Sequence, residues 1–291
     1  MTRSRNRGWM MAVLAIGMSV GCIRGASAAE LQGTLQIKGS DTMVNLCQAW
    51  AEAFMAKHPH TTVAVTGGGS GSGIAALISG TCDLAAASRA MSQKEIGLAR
   101  AQGHDPQEWQ VALDGIAVVV HPTNPVKQLT IEQLADLFNG TIRNWKDVGG
   151  ANAGVVLLSR EVNSGTHVYF KEHVLNALKG RGPTEFAPEA LLLPSSQAIA
   201  DEVASNPFGI GYYGMGYQNP RNIAVAIATT AAGPYVAPTE DSVRSGTYPI
   251  ARPLLFYSRG TPQGTVKAFL DFAMSPEGQQ IVRTIDFVPV Q

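Results

Sequence analysis

Four short turns carry hydroxyls, glycines and arginines at a density that suits the capture of an anion. "KGSDTM" (38–43) offers Ser40, Asp41 and Thr42, and "GGGSGSG" (67–73) offers Ser70 and Gly71 among five glycines. "ASRAM" (87–91) adds Ser88 and Arg89, and "SREVNSGTH" (159–167) adds Arg160, Asn163, Ser164, Gly165 and Thr166. Each turn follows a strand-like run and opens a helix-like one, a layout that aims backbone N–H groups and a helix N-terminus at negative charge. Singly, each has a plain structural reading, because Ser, Thr and Asp cap helices and glycines make turns. Together they suit a small tetrahedral oxyanion held by hydroxyls, helix N-termini and a guanidinium fork.

Nucleotide readings of the glycine loop fail on residue identity. A Walker A loop needs Lys and then Ser or Thr after its last glycine, where Ile74 and Ala75 stand. A dinucleotide fingerprint started at Gly67 or Gly69 meets Ser72 or Ile74 in place of its third glycine. Hydrolytic chemistry finds little support either. His58-Pro-His60 follows a predicted helix and reads as a solvated turn, and His104, His121, His167 and His173 form no metal-ligating group with it. Ser164 lacks a nucleophile elbow. No pattern calls for a cofactor, and a phosphate-ester hydrolase is retained only as an alternative to a binding protein.

The elements that must hold these turns alternate between strand and helix, which predicts an α/β fold with mainly parallel sheets. One series runs through "TLQIKG", "AWAEAFMAKH", "TTVAVTG", "IAALISG", "DLAAAS" and "SQKEIGLARAQG". The long apolar "VALDGIAVVVHP" leads to a second series: "TIEQLADLF", "GVVLLSR", "THVYFKEHVLNAL", "ALLLPSS", "QAIADEVAS" and "GIGYYG". "TTAAGPYVAPTEDSVRSGTYP" reads as a surface excursion, "ARPLLFYS" as a returning strand, and "GTVKAFLDFAMSPEGQQIVRTI" as a closing helix. The expected organisation is a two-lobed clamshell of 29–118 plus 252–291 against 119–251, joined by two crossings, with the turns converging on a cleft.

Residues 1–28 read as an export signal. Arg3, Arg5 and Arg7 precede an apolar stretch too short for a typical membrane span, and "ASA" precedes Ala29. "SVGC" ending at Cys22 offers a lipoprotein anchor as the alternative, though Ser19 stands where Leu is usual. The whole chain balances 22 bases against 22 acids, and removal of Arg3, Arg5, Arg7 and Arg24 leaves a net charge near −4. That charge and the lack of a basic run exclude an electrostatic footprint for nucleic acid or an anionic membrane. A monomer is expected. Cys47 and Cys82 are either a disulfide or two small buried hydrophobes.

The ordered set "KGSDTM", "TGGGSGSG", "ASR" and "R-x-x-x-S-G-T", with "DGIAVVVHPTNP" between, resembles the periplasmic phosphate-binding protein of bacterial phosphate ABC importers and spans most of the mature chain. The resemblance implies a clamshell of type II-like architecture that sequesters inorganic phosphate and delivers it to a membrane permease. It places ligand contacts on Ser40, Thr42, Ser70, Arg160, Ser164, Gly165 and Thr166. One departure stands out: some members carry Asp directly after the Ser of "AS", where it accepts the phosphate proton, and this chain carries Arg89. That role passes to Asp41 as first expectation and Asp114 as second, and another tetrahedral oxyanion stays open.

Overall fold

The computed structural model describes residues 1–2, 31–177, 180 and 182–290, so the leader, its cleavage site and Cys22 lie outside the described residues. The first half builds β1 (Gly33–Gly39), α1 (Val44–Lys57), β2 (Thr61–Thr66), α2 (Ser70–Ile78), β3 (Leu84–Ala87) and α3 (Gln93–Ala101). Leu46, Cys47, Trp50, Ala51 and Phe54 form the buried stripe of α1, at the spacing that keeps apolar side chains on one helix face. The three strands pair in parallel in the order β2-β1-β3.

Strand β4 (Gln107–Val120) then runs out of this half, followed by β5 (Gln128–Thr130), α4 (Ile131–Phe138), β6 (Val156–Arg160) and α5 (Gly165–Phe170). Next come β7 (Leu191–Leu193), α6 (Ser196–Ser205), β8 (Gly209–Gly214), β9 (Ile223–Ala224), β10 (Ala226–Ala228) and α7 (Glu240–Arg244). The chain returns along β11 (Ala251–Ser258) and ends in α8 (Gly264–Met274) and α9 (Pro276–Thr284). The full strand order is β2-β1-β3-β11-β4-β8-β6-β7. This is a two-lobed α/β clamshell in which the early reach of β4 pairs with β11 and its late reach, Ile116–Val120, pairs with β8.

Several expectations change in physical detail. The sheets are mixed: β11 is antiparallel to β3 and β4, and β4 to β8, because β4 alone reaches from the β11 side to β8 and the chain comes back along it as β11 without a crossover helix. The closing helix is two helices, since Ser275 ends α8 and caps α9, with Pro276 at the first position of α9. The helix after the fourth turn is α-helical only over Gly165–Phe170 and continues as a π-helical turn, Lys171–Leu175. The segment read as a surface excursion contains α7 and buries Tyr248, whose hydroxyl donates to Ile116 O at 2.7 Å. Cys47 and Cys82 are both buried and both free.

Candidate functional site

Strands β1, β3 and β6 end within one to a few residues of Ser40, Ser88 and Ser164, and the Gly67–Gly69 turn after β2 delivers Ser70 as the first residue of α2. Three of these hydroxyls form one buried group: Ser40 Oγ donates to Ser88 Oγ at 3.0 Å, Ser70 Oγ lies 3.3 Å from Ser88 Oγ, and the Ser88 N–H donates to Ser70 Oγ at 3.0 Å. The fourth turn closes on them from the other half. An ideal Cβ on Gly165 would sit 2.3 Å from Ser70 Oγ and 2.6 Å from Ser88 Oγ, so only glycine allows this approach. Gly69, at φ +91, makes the bend that starts α2 where few other residues could. Ser164 caps α5, its hydroxyl accepting from Thr166 N at 3.2 Å and His167 N at 3.5 Å.

Beside this group, Thr42 Oγ1 meets Thr166 Oγ1 at 2.9 Å, so a residue of the first half touches one 124 positions later. Arg252 lies beneath them. Its Nη2 donates to Thr166 Oγ1 at 3.0 Å and reaches Thr42 Oγ1 at 3.5 Å, and its Nη1 donates to Ser88 O at 2.9 Å. Arg252 is held in turn by Asp114, whose Oδ2 accepts from Nε at 2.9 Å and from Nη2 at 2.8 Å, with both side chains wholly buried. Met215 N donates to Asp114 Oδ1 at 2.9 Å. Burial pushes the Asp114 carboxyl above its ordinary value, against the pull of the Arg252 charge and hydrogen bonds.

The remaining candidates stand in other company. Arg89 turns to Glu95, its Nη1 and Nη2 donating to the two carboxylate oxygens at 2.9 and 2.7 Å, and its Nε is buried with no hydrogen-bond partner. Burial would raise the Glu95 carboxyl, and the hydrogen bond and charge of Arg89 outweigh it and hold the value down. Arg160 Nε donates to Leu193 O at 3.3 Å, Nη1 to Ser196 Oγ at 2.9 Å and Nη2 to Pro194 O at 2.9 Å. Asp41 Oδ2 lies 3.1 Å from Arg160 Nη2 and accepts from Ser196 N at 2.8 Å. The plain capping reading of the 40–42 turn does not hold: Ser40 precedes the short 3-10 turn and Met43 precedes α1, neither with a side-chain cap bond. Asn163 and Gly71 meet between the two halves of the chain, where Gly71 N donates to Asn163 O at 3.0 Å and Asn163 Nδ2 donates to Gly68 O at 2.9 Å.

Arg252 escaped the sequence reading, and Asp114 entered it only as a second choice. Their signal was present: Asp114 is the one charge in the apolar run "VALDGIAVVV" and Arg252 the one charge in "ARPLLFYS", and a charge carried into a core must be paired. In the folded sheet they are direct neighbours in register across β11 and β4. Among the described residues, no group of three or more His, Cys, Asp or Glu could hold a metal ion.

What the arrangement can do chemically is offer a small anion hydroxyls, the N-termini of α2 and α5 and a guanidinium that a buried carboxylate holds in place. A family model described as the PBP superfamily domain matches residues 25–277. The chain belongs to that superfamily and, within it, to the family of the phosphate-binding proteins PstS. It is 32% identical over 280 residues to the phosphate-binding protein PstS of Pseudomonas aeruginosa, covering 90% of this chain and 85% of that one. A crystal structure with bound phosphate, of a substrate-binding protein assigned to a phosphate ABC transporter in Clostridium perfringens, matches with a TM-score of 0.79 at 32% identity, covering 89% of this chain and all of that one. An ABC-type phosphate transport receptor from Vibrio cholerae matches with a TM-score of 0.69 at 30% identity, over 87% and 99% of the two chains.

Proposed function

We propose that this protein captures inorganic phosphate between its lobes and delivers it to the membrane permease of an ABC importer. The observation that carries the reading is the convergence of Ser40, Thr42, Ser70 and Ser88 from the first half with Gly165 and Thr166 from the second, around the Arg252 guanidinium. Ser164 sets the N-terminus of α5 at that point, and the phosphate-binding relatives support the choice of anion. Residues 29–118 with 252–291 form the first lobe and 119–251 the second, with β4 and β11 as the crossings. Arg160 and Asn163 position the second lobe's side of the cleft, and Gly71 its counterpart on the first. The leader of 1–28 is removed on export, the mature protein works as a soluble periplasmic monomer, and lipid attachment at Cys22 is the alternative. It acts as a receptor, not an enzyme.

Asp114 takes the proton-acceptor role in this reading. Near neutral pH, phosphate keeps at least one proton and sulfate keeps none, so a buried carboxylate accepts a bond from the first and repels the second. Asp114 is fully buried and shares the Arg252 guanidinium with Thr166, whereas the bonds of the Asp41 carboxylate run to Ser196 and Arg160. Calorimetric titration of residues 29–291 with phosphate, arsenate and sulfate tests the proposal. Saturable binding of phosphate with sulfate excluded is the expected result; no phosphate binding, or equal binding of sulfate, overturns it. A phosphate-ester release assay with added divalent metal separates receptor from hydrolase, and turnover would favour the latter.

A further inference from the structure

We infer that Asp41 is a latch between the lobes, and that the N-terminus of α6 with Arg160 is the keeper that receives it. The inference deepens the phosphate-receptor reading and rests on it for the meaning of closure. Asp41 begins the short 3-10 turn Asp41–Met43 at the end of β1, and its carboxylate serves no helix of its own lobe. Its Oδ2 instead accepts from the backbone N–H of Ser196, 155 residues away, at 2.8 Å. Ser196 is the first residue of α6, where the N–H has no partner within the helix, and the cap hydroxyl of Ser195 takes the Ala198 N–H instead. A carboxylate from the first lobe therefore supplies the negative charge that this helix end attracts.

The keeper is built without the latch. Arg160 bonds to Leu193 O, Pro194 O and Ser196 Oγ, bracing the whole connection between β7 and α6 from inside the second lobe. Those three bonds lie within 119–251 and persist if the lobes part; the 3.1 Å approach of Asp41 to Arg160 Nη2 and the bond to Ser196 N do not. Tyr217, also in the second lobe, donates from its hydroxyl to Asp41 O at 2.9 Å, so main chain and side chain of one residue are both gripped. Asp41 thus holds the closed form without being spent on the ligand, and its removal acts on how long the cleft stays shut.

The test pairs amide exchange with release kinetics. Exchange of the Ser196 amide is measured by nuclear magnetic resonance, with and without inorganic phosphate, in wild type, Asp41→Ala and Asp41→Asn. Phosphate release is followed by stopped flow in the same proteins. Because a bond from an N–H to a carboxylate is worth more than a factor of ten, Asp41→Ala should lose the Ser196 protection and release phosphate at least about tenfold faster, with the association rate and the phosphate-over-sulfate preference unchanged. Asp41→Asn, which keeps an acceptor oxygen and loses the charge, should fall between. Ser196→Pro attacks the same bond from the other side, since proline is tolerated at the first helical position and has no N–H; it should speed release more than Ser196→Ala, which removes only the hydroxyl. Ser196 protection equal in wild type and Asp41→Ala overturns the latch, as does a changed anion preference in Asp41→Asn, which would return Asp41 to the ligand. Wild type that binds no phosphate yet shows Asp41-dependent protection of Ser196 would sink the receptor reading and leave the latch standing.

Discussion

Two arginine–aspartate pairs lie close to the cleft, and they differ in what brings their members together. Arg252 and Asp114 are neighbours in register on adjacent strands, wholly buried, and tied by two bonds to one carboxylate oxygen. Arg160 and Asp41 are brought together from opposite halves of the chain, at the ends of β6 and β1; the guanidinium is buried, while 17% of the Asp41 side chain is exposed. The first pair is made by the sheet and needs no closure. The second, in the latch proposal, exists only while the lobes are shut. On the proposed reading, the buried pair inside one sheet is scaffold for the anion site, and the pair across the cleft is machinery for holding and releasing the anion.

Breaking one member of each pair should separate the roles. Asp114→Ala strands the Arg252 charge in the core and should cost about 3–5 kcal/mol of unfolding free energy by denaturant titration. Asp41→Ala should cost no more than about 1 kcal/mol in the ligand-free protein, because Arg160 keeps its partners in the second lobe. Equal losses would erase the distinction. Next in size, Asp114→Asn should keep the fold, weaken phosphate binding and admit sulfate in competition titrations, whereas Asp41→Asn should leave the preference intact; the reverse pattern would exchange their roles. Arg160→Ala unbraces the start of α6 and should weaken phosphate by at least about tenfold, since bonds to a charged group are worth about 1.5–3 kcal/mol each; unchanged affinity in a folded variant would remove Arg160 from the account.

The smallest effect concerns His167, which follows Thr166, lies 3.3 Å from Ser159 Oγ through Nδ1 and stacks on Phe186. Burial lowers its pKa below the ordinary 6.5. Well above pH 6.5 the ring is neutral in both folded and unfolded chains and contributes no pH dependence. As pH falls through 6.5 the unfolded chain takes up the proton first, so the folded state loses stability there. Thermal melts from pH 7.5 to 5.5 should therefore show a steeper decline in wild type than in His167→Gln, and identical slopes would show that the ring titrates freely.

Much of this site was legible as sequence because each anion-facing turn is local: a strand, a few glycines or hydroxyls, then a helix. The α/β alternation placed Ser40, Ser70, Ser88 and Thr166 at strand ends, and the fold brings them together there. Long-range facts were not legible in the same way. The destination of the Asp41 carboxylate depends on where the start of α6 lands, and no local pattern in "GSDT" distinguishes a cap from a reach across the cleft. Arg89 stands among candidate ligand residues in sequence, yet Glu95, six residues later, claims its guanidinium. The 229–249 segment looked like surface because it is rich in glycine, proline and threonine, while Tyr248 and Val243 carry its burial. The direction of β4 and β11 was equally hidden, because a strand's pattern of burial does not state whether its neighbour runs with it or against it.

Capture by closure is the claim on which all of this depends. Small-angle scattering of residues 29–291, recorded without and with saturating inorganic phosphate, tests it most directly, because lobes joined by two crossings change the molecule's dimensions when they shut. A lower radius of gyration with phosphate, and none with sulfate, is the predicted result. An unchanged radius in a sample shown by calorimetry to be fully bound would contradict it.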